Sequence, residues 1–317
     1  MAMNLTSTFN YKNQCNPAEA KTSNKRSDHS FLKLKKKLRG FKLLSLLSIL
    51  FFLNPFVGNS QALNFDGIDD VVNGPVELIP TTGEYTVSIW AKQDNFQSGD
   101  VKTLMSQGRN FYLGQLHTDT LRVGDSWYDT GVLWPTDLSW HHYAVVRTNT
   151  NTFLYLDGIL RATAGYAIPS PTNSAPGTPT VAQFFIGAQW DGNIEPFGGS
   201  VDELRIWNRA LSQSEIQNTF NCEIVTIENN LIANYHFNQG TANGSNPGET
   251  TLSDASGNAH QMSLANFALS GTSSNWVNSG PATSTATRFF ADTDFDGYGN
   301  FFAPTLSCSP LLGFVAD

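Results

Sequence analysis

The chain has 317 residues and a formal net charge of −8, and this balance argues against one class of partner. The first 62 residues carry +8, so the remaining 255 residues carry −16. Binding to the phosphates of duplex nucleic acid needs clustered cations, so we do not expect this acidic part of the chain to bind nucleic acid. Its excess of carboxylates suits calcium, which takes oxygen ligands.

The N-terminal segment has the features of a signal peptide. The basic stretch KLKKKLR at 33–39 precedes the apolar run LLSLLSILFFLNPFV at 43–57, and small residues follow. The alternative is a membrane anchor, but the run is short for a membrane span and an Asn-Pro pair interrupts it. We therefore predict that residues 1–62 are a leader and that the mature chain has no membrane span.

From Leu63 to about Trp207 the sequence predicts one strand after another. Apolar and polar residues alternate in EYTVSIWAK, WHHYAVVR, AQFFIGAQW and SVDELRIW, and Gly, Asn, Asp and Pro separate these runs. Asp157-Gly158, between TFLYL and ILRATA, is typical of a two-residue β-hairpin turn. Evenly spaced short strands without helical patterns between them predict an all-β fold, a two-sheet antiparallel sandwich or jelly roll.

A short helix is predicted directly after these strands. Ser212 is the expected N-cap of LSQSEIQNTF, and Glu215 at the third helical position completes a capping box. Leu211 and Ile216 flank the cap as a hydrophobic staple. The helix is expected to close the domain rather than to carry chemistry.

The remaining segments are defined by composition. The stretch at 169–180, rich in Pro, Ser and Thr, is predicted to be a surface loop. Beyond the helix, two strand-like runs enclose a polar, glycine-rich stretch, and GPATSTAT has the composition of a linker. The predicted boundaries are a leader at 1–62, a jelly-roll domain at 63–221, an accessory β segment at 222–280, and a linker with an acidic repeat at 281–317.

Two cysteines lie beyond the leader, Cys222 and Cys308. An oxidising compartment would allow them to form a disulfide, but two cysteines so far apart do not define a disulfide framework. The sequence leaves their pairing open.

Six sequence blocks carry a resemblance to a known family. ALNFDGIDDVV, YTVSIWAK, WHHYAVVR, LYLDGIL, FFIGAQ and GGSVDELRIWNRALSQSEI occur in this order between Leu63 and Asn221. Together they resemble the LamG-like jelly-roll family of the concanavalin A-like lectin/glucanase superfamily. The following blocks NLIANYHFNQG and LSDASGNAHQMSL are similar to those that accompany such domains in secreted bacterial proteins. The resemblance implies two antiparallel sheets packed face to face, export, and binding or adhesion more often than catalysis.

The turn in NFDGIDD is the first candidate calcium site. Asp66 opens a tight turn, and Asp69 and Asp70 follow so closely that they repel unless a cation or backbone N–H groups compensate. Related jelly rolls often place a calcium ion near such a turn, with help from the strand that carries Asp202 here. The resemblance thus implies a structural calcium site of Asp66, Asp69 or Asp70, and Asp202. The alternative is that Asp66 caps the turn and the others are solvated.

The loop FFADTDFDGYGN is the second candidate calcium site. Oxygen ligands stand at the first, third, fifth, seventh (backbone carbonyl) and ninth positions of a calcium loop, namely Asp292, Asp294, Asp296, Tyr298 and Asn300. The twelfth position is Ala303 instead of a bidentate Glu, and the flanking segments are poor helix formers, so the loop is not an EF-hand. The segment resembles a partial thrombospondin type 3-like calcium repeat. Such repeats usually continue, so the resemblance implies a fragment in which Cys308 has lost its usual partner.

Four aromatic residues are the candidates for a ligand surface. Sugars stack on exposed aromatic rings, and residues near loops or strand ends could supply such rings. The candidates are Trp127, Tyr128, Trp134 and Trp190. The alternative is that they pack in the core or at the edge of the sandwich, as Trp and Tyr usually do.

No pattern in the sequence predicts catalysis. The E-x-D-x-x-E run of glucanases with this fold is absent, as are G-x-S-x-G and H-E-x-x-H, and adjacent Asp202 and Glu203 would point to opposite faces of a strand. We therefore predict a non-enzymatic binding or adhesion module, secreted or at the cell surface. It would recognise a glycan or a surface or matrix protein and hold calcium as a structural ion. A non-binding structural module of a larger surface protein is the first alternative, and a glycoside hydrolase is the second.

Overall fold

The computed structural model describes residues 61–172, 182–278, 280–282 and 284–316. The predicted leader, apart from its last two residues, and the predicted loop beyond residue 172 lie outside this part of the chain. Within the described ranges, no helix combines the length and the apolar character that a membrane span requires.

The described residues form 18 strands and one helix. In chain order they are β1 (Ala62–Asp66), β2 (Val71–Val76), β3 (Tyr85–Gln93), β4 (Lys102–Gln107), β5 (Phe111–Gln115), β6 (Leu121–Val123), β7 (His141–Arg147), β8 (Thr152–Leu156), β9 (Ile159–Ala164), β10 (Gln183–Ile186), β11 (Gly198–Trp207), α1 (Gln213–Thr219), β12 (Leu231–Tyr235), β13 (Thr251–Leu252), β14 (Met262–Ala265), β15 (Asn275–Val277), β16 (Thr287–Ala291), β17 (Pro304–Ser307) and β18 (Phe314–Ala316).

The strands pair into two large antiparallel sheets and one small sheet. The first sheet has the order β15-β1-β11-β3-β7-β8-β9, and β12 also pairs with β11. The second sheet has the order β13-β14-β2-β10-β4-β5-β6, and the small C-terminal sheet has the order β17-β16-β18. Strands from residues 222–280 therefore join both large sheets, with β12 and β15 in the first and β13 and β14 in the second.

The main core lies between the two large sheets. Val87 and Ile89 of β3 and Phe111 and Leu113 of β5 are fully buried in one cluster. Because successive strand residues point to opposite faces, this cluster fixes which face of each sheet turns inward. Each such side chain contributes roughly 1.5–3 kcal/mol when fully buried. The predicted all-β, two-sheet antiparallel sandwich is confirmed.

The helix and one hairpin form as predicted. Asp157 and Gly158 have φ angles of 53° and 70° and connect the paired strands β8 and β9. At the start of α1 the Ser212 side chain accepts a hydrogen bond from the Glu215 backbone, and the Glu215 carboxylate accepts one from the Ser212 backbone at 2.8 Å. Ile216 of the helix is buried against the outer face of the first sheet, in a second apolar cluster that also contains the end of β11.

A disulfide ties the C-terminal sheet to the sandwich. Cys222, which follows α1, bonds to Cys308, which follows β17, across 86 residues of sequence. The backbone N–H of Cys308 also donates to the carbonyl of Asn218, at 2.7 Å. The pairing that the sequence left open is therefore present. Cys308 is therefore paired with a cysteine just beyond the sandwich helix, and the loss of a partner within the repeat stays a prediction.

Candidate calcium sites and ligand surface

The first acidic cluster forms at the end of β1. Asp66, Asp69 and Asp70 each bring a carboxylate oxygen within 4.8 Å of the others. Asp66 Oδ1 accepts a hydrogen bond from the Ile68 backbone at 2.8 Å, so Asp66 does cap its own turn. Gly67 in this turn has a φ of +76°, and a Cβ there would lie 3.0 Å from the Cα of Gly198, so the close approach of β11 requires glycine.

The buried member of this cluster is already satisfied by protein groups. Asp70 is 1% exposed, and its two carboxylate oxygens accept hydrogen bonds from the Asp66 backbone and from the Ser274 hydroxyl, both at 2.8 Å. Burial raises the pKa of Asp70 to about 6, against the opposing effect of these two hydrogen bonds. The three aspartates lie together, and the buried one among them is already hydrogen-bonded.

Asp202 lies apart from this cluster. Asp66 pairs with Gly198, and Asp202 lies four residues further along β11, which corresponds to about 13 Å of strand. It is 1% exposed, and its Oδ1 accepts a hydrogen bond from the Glu203 backbone. Burial, and then the charge of Glu203, raise the pKa of Asp202 well above its usual value, which favours a neutral carboxyl. The geometry does not support Asp202 as a ligand of the Asp66 site.

A buried ionic network lies next to Asp202. The Glu203 carboxylate pairs with the Arg205 guanidinium and, at 2.8 Å, with Nδ1 of His236. Arg205 also donates to the carbonyls of Thr219 and Cys222, and both Glu203 and Arg205 are at most 2% exposed. Burial acts to raise the pKa of Glu203, but the charge of Arg205 and the contacts with His236 outweigh it and hold the pKa below its usual value.

This network was not predicted, and one local distortion explains part of the failure. The pairing of β11 with β3 shifts register between Asp202 and Arg205, and Glu203 has a φ of 49°. This register shift interrupts the regular alternation of β11 beside the predicted pair, and both Asp202 and Glu203 are buried. His236 is 33 residues from Glu203 and carried no sequence signal.

The second acidic cluster lies in the loop between β16 and β17. Asp292, Asp294 and Asp296 each bring an oxygen within 4.8 Å of the others. Asp292 is 8% exposed, and its Oδ2 accepts a hydrogen bond from the Gly297 backbone at 3.1 Å. Its Oδ1 is buried and has no hydrogen-bond partner among the described residues. A buried carboxylate oxygen without a partner is unfavourable, so these three residues fit a cation better than the Asp66 cluster does.

The two remaining predicted ligands of this loop are placed less favourably. Asn300 is exposed, and its side-chain oxygen already accepts a hydrogen bond from the Phe302 backbone at 3.0 Å. The Tyr298 backbone N–H donates to Asp296 Oδ1 at 2.8 Å, and the Tyr298 side chain is 78% exposed. In this loop the three carboxylates therefore already lie together, whereas Tyr298 and Asn300 are exposed.

Two of the four predicted ligand-binding aromatics are core residues. Trp134 is 2% exposed and stacks on Tyr143, with 5.3 Å between the ring centroids. Trp127 is 9% exposed and belongs to the main core cluster. Neither ring is open to solvent. These two residues therefore pack in the core, as the alternative interpretation expected.

The other two aromatics lie on the outer face of the second sheet. Tyr128 is 47% exposed, and the Arg122 guanidinium lies 5.2 Å from its ring and 3.8 Å from the ring of Tyr112. Trp190 is half-buried, and the Arg109 guanidinium lies 5.1 Å from its ring. Burial and the charge of Asp125 raise the pKa of Tyr112, and the charges of Arg122 and Arg109 act against them. We call these residues the aromatic–arginine face: Arg109, Tyr112, Arg122, Tyr128 and Trp190.

Hydrogen bonds and ion pairs order this face. Arg122 pairs with Asp125 at 3.2 Å and with Glu195 at 3.5 Å, and Glu195 accepts a hydrogen bond from the Thr103 hydroxyl. Arg122 itself is 7% exposed, so its guanidinium is held in place under the two tyrosines. The face thus combines two accessible rings with fixed donors and acceptors.

Comparison with known proteins agrees with the fold. Residues 66–217, just under half of the chain, match the family model Laminin_G_3, described as the concanavalin A-like lectin/glucanases superfamily. A search of curated proteins finds no match.

Three solved structures illustrate the likeness. A candidate carbohydrate binding protein from Bacteroides ovatus is 20% identical with a TM-score of 0.49, and the alignment covers 68% of this chain and 62% of that protein. Domain 4 of AbnA, a GH43 extracellular arabinanase from Geobacillus stearothermophilus, in complex with arabinotriose, is 27% identical with a TM-score of 0.39, covering 49% and 74%. Trypanosoma rangeli sialidase is 17% identical with a TM-score of 0.37, covering 49% and 26%. The chain spans about three-fifths of the Bacteroides ovatus protein. The strand pairing and the family match together show the concanavalin A-like jelly-roll fold.

Proposed function

We propose that the protein is a carbohydrate-binding module that acts outside the cell, with calcium as a structural ion. The observation that carries the proposal is the aromatic–arginine face, in which Tyr128, 47% exposed, lies beside Arg122, and the half-buried Trp190 lies beside Arg109. A sugar ring could lie with its C–H face on an aromatic ring while its hydroxyls bond to neighbouring guanidinium and carboxylate groups. The match to a superfamily of lectins and glucanases supports a glycan over a matrix protein as the partner.

Location outside the cell is supported by the disulfide. Cys222 is fully buried and bonded to Cys308. Structural disulfides persist mainly in secreted and cell-surface proteins, because the cytosol keeps thiols reduced. This agrees with the predicted signal peptide, which lies outside the described residues.

Binding is proposed rather than hydrolysis because of where the acidic residues lie. A glycosidase needs two carboxylates on either side of the scissile bond in an accessible cleft. Asp202 and Glu203 on β11 are each 1% exposed, and Glu203 is engaged by Arg205 and His236. The two carboxylates on the aromatic–arginine face itself, Asp125 and Glu195, are both paired with Arg122.

Removing the rings of the aromatic–arginine face tests the binding role. On a glycan array followed by calorimetry with the best-bound glycan, Tyr128→Ala and Trp190→Ala should each weaken binding about tenfold, roughly 1.4 kcal/mol, through lost stacking. Phe302→Ala removes a ring that is 98% exposed at a different place and should leave the affinity unchanged. Absence of glycan binding by the unaltered chain, equal losses in all three variants, or release of hydrolysis products from the bound glycan would each contradict the proposal.

Calcium is proposed to bind in the loop of Asp292, Asp294 and Asp296. The buried, unpartnered Oδ1 of Asp292 supports this loop over the Asp66 cluster, where Asp70 is fully hydrogen-bonded. Calcium takes six to eight oxygen ligands, so three carboxylates, the Tyr298 carbonyl, the Asn300 side chain and waters would be a sufficient set. Its role would be to hold the loop and the C-terminal sheet rigid.

A calcium titration of the melting temperature tests this part of the proposal. A ligand that binds only the folded state stabilises it by about 2.7 kcal/mol at a concentration of 100 times Kd, so the melting temperature should rise with calcium. Asp292→Asn should abolish the rise, although without calcium it should melt no lower than the unaltered chain, because it reduces the crowding of three carboxylates that lie within 4.8 Å of one another. Asp69→Asn, in the other cluster, should keep the rise. If Asp69→Asn abolished the calcium-dependent rise in melting temperature and Asp292→Asn kept it, the ion would be assigned to the Asp66 cluster instead.

A further inference from the structure

A groove lies between the first sheet and the C-terminal sheet, away from the aromatic–arginine face. One wall comes from the end of β11 and from α1, the opposite wall from β16 and β17, and residues 228–230 close one side. Its volume of about 280 Å³ is close to the lower end of the roughly 300–1,000 Å³ of small-ligand sites. It opens into a recess of about 440 Å³ that shares Glu228, Asn229, Arg288 and Pro304 with it. We call the two together the Trp207 groove.

The ionisable groups of the groove neutralise one another. Arg209 Nη1 lies 2.6 Å from Glu215 Oε1 on the helix side, and Arg288 Nη2 lies 2.8 Å from Glu228 Oε1 on the side of the C-terminal sheet. A charged ligand would have to displace one partner of a pair and leave the other without its counter-charge. A neutral ligand with several hydroxyl groups could donate to the carboxylates and accept from the guanidinium groups without breaking either pair.

The groove also offers apolar surface between these polar groups. Pro304 is exposed and Leu306 half-buried along its wall, whereas Trp207 and Leu211, which also line it, are 5% and 7% exposed. The Arg209 guanidinium lies 5.1 Å from the centroid of the Trp207 ring. Asn229 adds an exposed amide that can donate and accept. A sugar ring has an apolar C–H face and a polar edge, so it matches this alternation better than a purely apolar ligand or an ion does.

We propose that the Trp207 groove is a second binding site of the protein and that its ligand is a neutral saccharide unit. The C-terminal sheet forms one of its walls, and the disulfide from Cys222 to Cys308 holds that wall against the sandwich. Two separate saccharide sites on one chain would let it hold one polysaccharide at two points and gain avidity.

The test uses the full chain carrying Tyr128→Ala and Trp190→Ala, so that the remaining binding reports on the groove alone. Saturation-transfer NMR with galactose, glucose, arabinose and N-acetylglucosamine as neutral probes, and galacturonate as the acidic probe, should detect at least one neutral sugar and no galacturonate. Adding Asn229→Trp, which places a large side chain at the exposed rim of the groove, should remove that binding. Asn193→Trp, the same change at an exposed asparagine outside the groove, should leave it unchanged.

A second variant tests the charge argument without filling the groove. Glu228→Gln keeps the size of the side chain but leaves the Arg288 guanidinium without its carboxylate. The groove then carries one net positive charge, so galacturonate should begin to bind. No binding of any neutral probe, binding that survives Asn229→Trp in the folded variant, or unchanged rejection of galacturonate by Glu228→Gln would overturn the proposal.

Discussion

Replacing Arg205 by methionine is expected to destabilise the protein by about 3–5 kcal/mol, because it leaves the Glu203 carboxylate buried without its main counter-charge. Glu203 is 1% exposed, so water cannot take the place of the guanidinium. The same change also removes the donors that hold the carbonyls of Thr219 and Cys222, at the end of α1. His236 contacts only one oxygen of Glu203, so it cannot supply both the lost counter-charge and the lost hydrogen bonds to the two carbonyls.

Urea unfolding at neutral pH measures this effect, with two variants for comparison. Arg161→Met makes the same change on β9, where the side chain is exposed, and should alter stability by no more than about 0.5 kcal/mol. Glu203→Gln together with Arg205→Met removes both charges and should destabilise less than Arg205→Met alone, because no uncompensated charge stays buried. A double variant less stable than the single one would mean that hydrogen bonding and packing, and not charge, account for the loss.

The fold could be predicted because its signals are local. Strand alternation in EYTVSIWAK and WHHYAVVR, the Asp157-Gly158 turn and the capping box at Ser212 each depend on residues within a few positions of one another. Jelly-roll sheets join many such strands, so the local pattern and the order of the blocks were enough to predict the architecture. The same reasoning placed the aspartates of each acidic turn together, since each set spans at most five residues.

The parts that failed depend on distant contacts. Trp127 and Trp134 were predicted to lie near loops or strand ends. Their segment instead folds back on β6, with bridges from Val123 to Trp127 and from Thr120 to Leu133, and both rings are buried. Composition alone cannot distinguish such a return from an exposed loop.

The candidate sites also depend on contacts between distant parts of the chain. The Trp207 groove and the network of Glu203, Arg205 and His236 join residues from distant parts of the chain, so no spacing in the sequence reveals them. Sequence reasoning found Tyr128 and Trp190 as single candidates. Only the structure shows that each of them lies beside an arginine, Tyr128 beside Arg122 and Trp190 beside Arg109.

Loss of the disulfide is expected to have the second large effect. Closing an 86-residue loop restricts the unfolded chain, and the chain-entropy model gives about 4–5 kcal/mol for a loop of this length. The double variant Cys222→Ala with Cys308→Ala should lose up to this amount in chemical unfolding. The chain-entropy model places the effect of the disulfide in the unfolded state. The oxidised and reduced forms of the unaltered chain should therefore differ in their free energy of unfolding by a similar amount.

The loss of stability that follows removal of the disulfide should not be uniform over the molecule. Without the disulfide, the C-terminal sheet keeps a few backbone hydrogen bonds to residues 218–223 and the packing of Ala286 and Leu306 on the second apolar cluster. It also keeps the ion pair of Arg288 with Glu228, which is partly exposed and worth at most about 1 kcal/mol. Hydrogen exchange should therefore speed up in β16, β17 and β18 well before it changes in β3 and β7, which lie inside the first sheet. Equal acceleration in all five strands would show that the sandwich and the C-terminal sheet unfold as one cooperative unit. The Trp207 groove, which needs both as walls, would then keep its shape as long as the chain stays folded. Exchange confined to the C-terminal sheet would instead mean that reduction of the disulfide opens the groove.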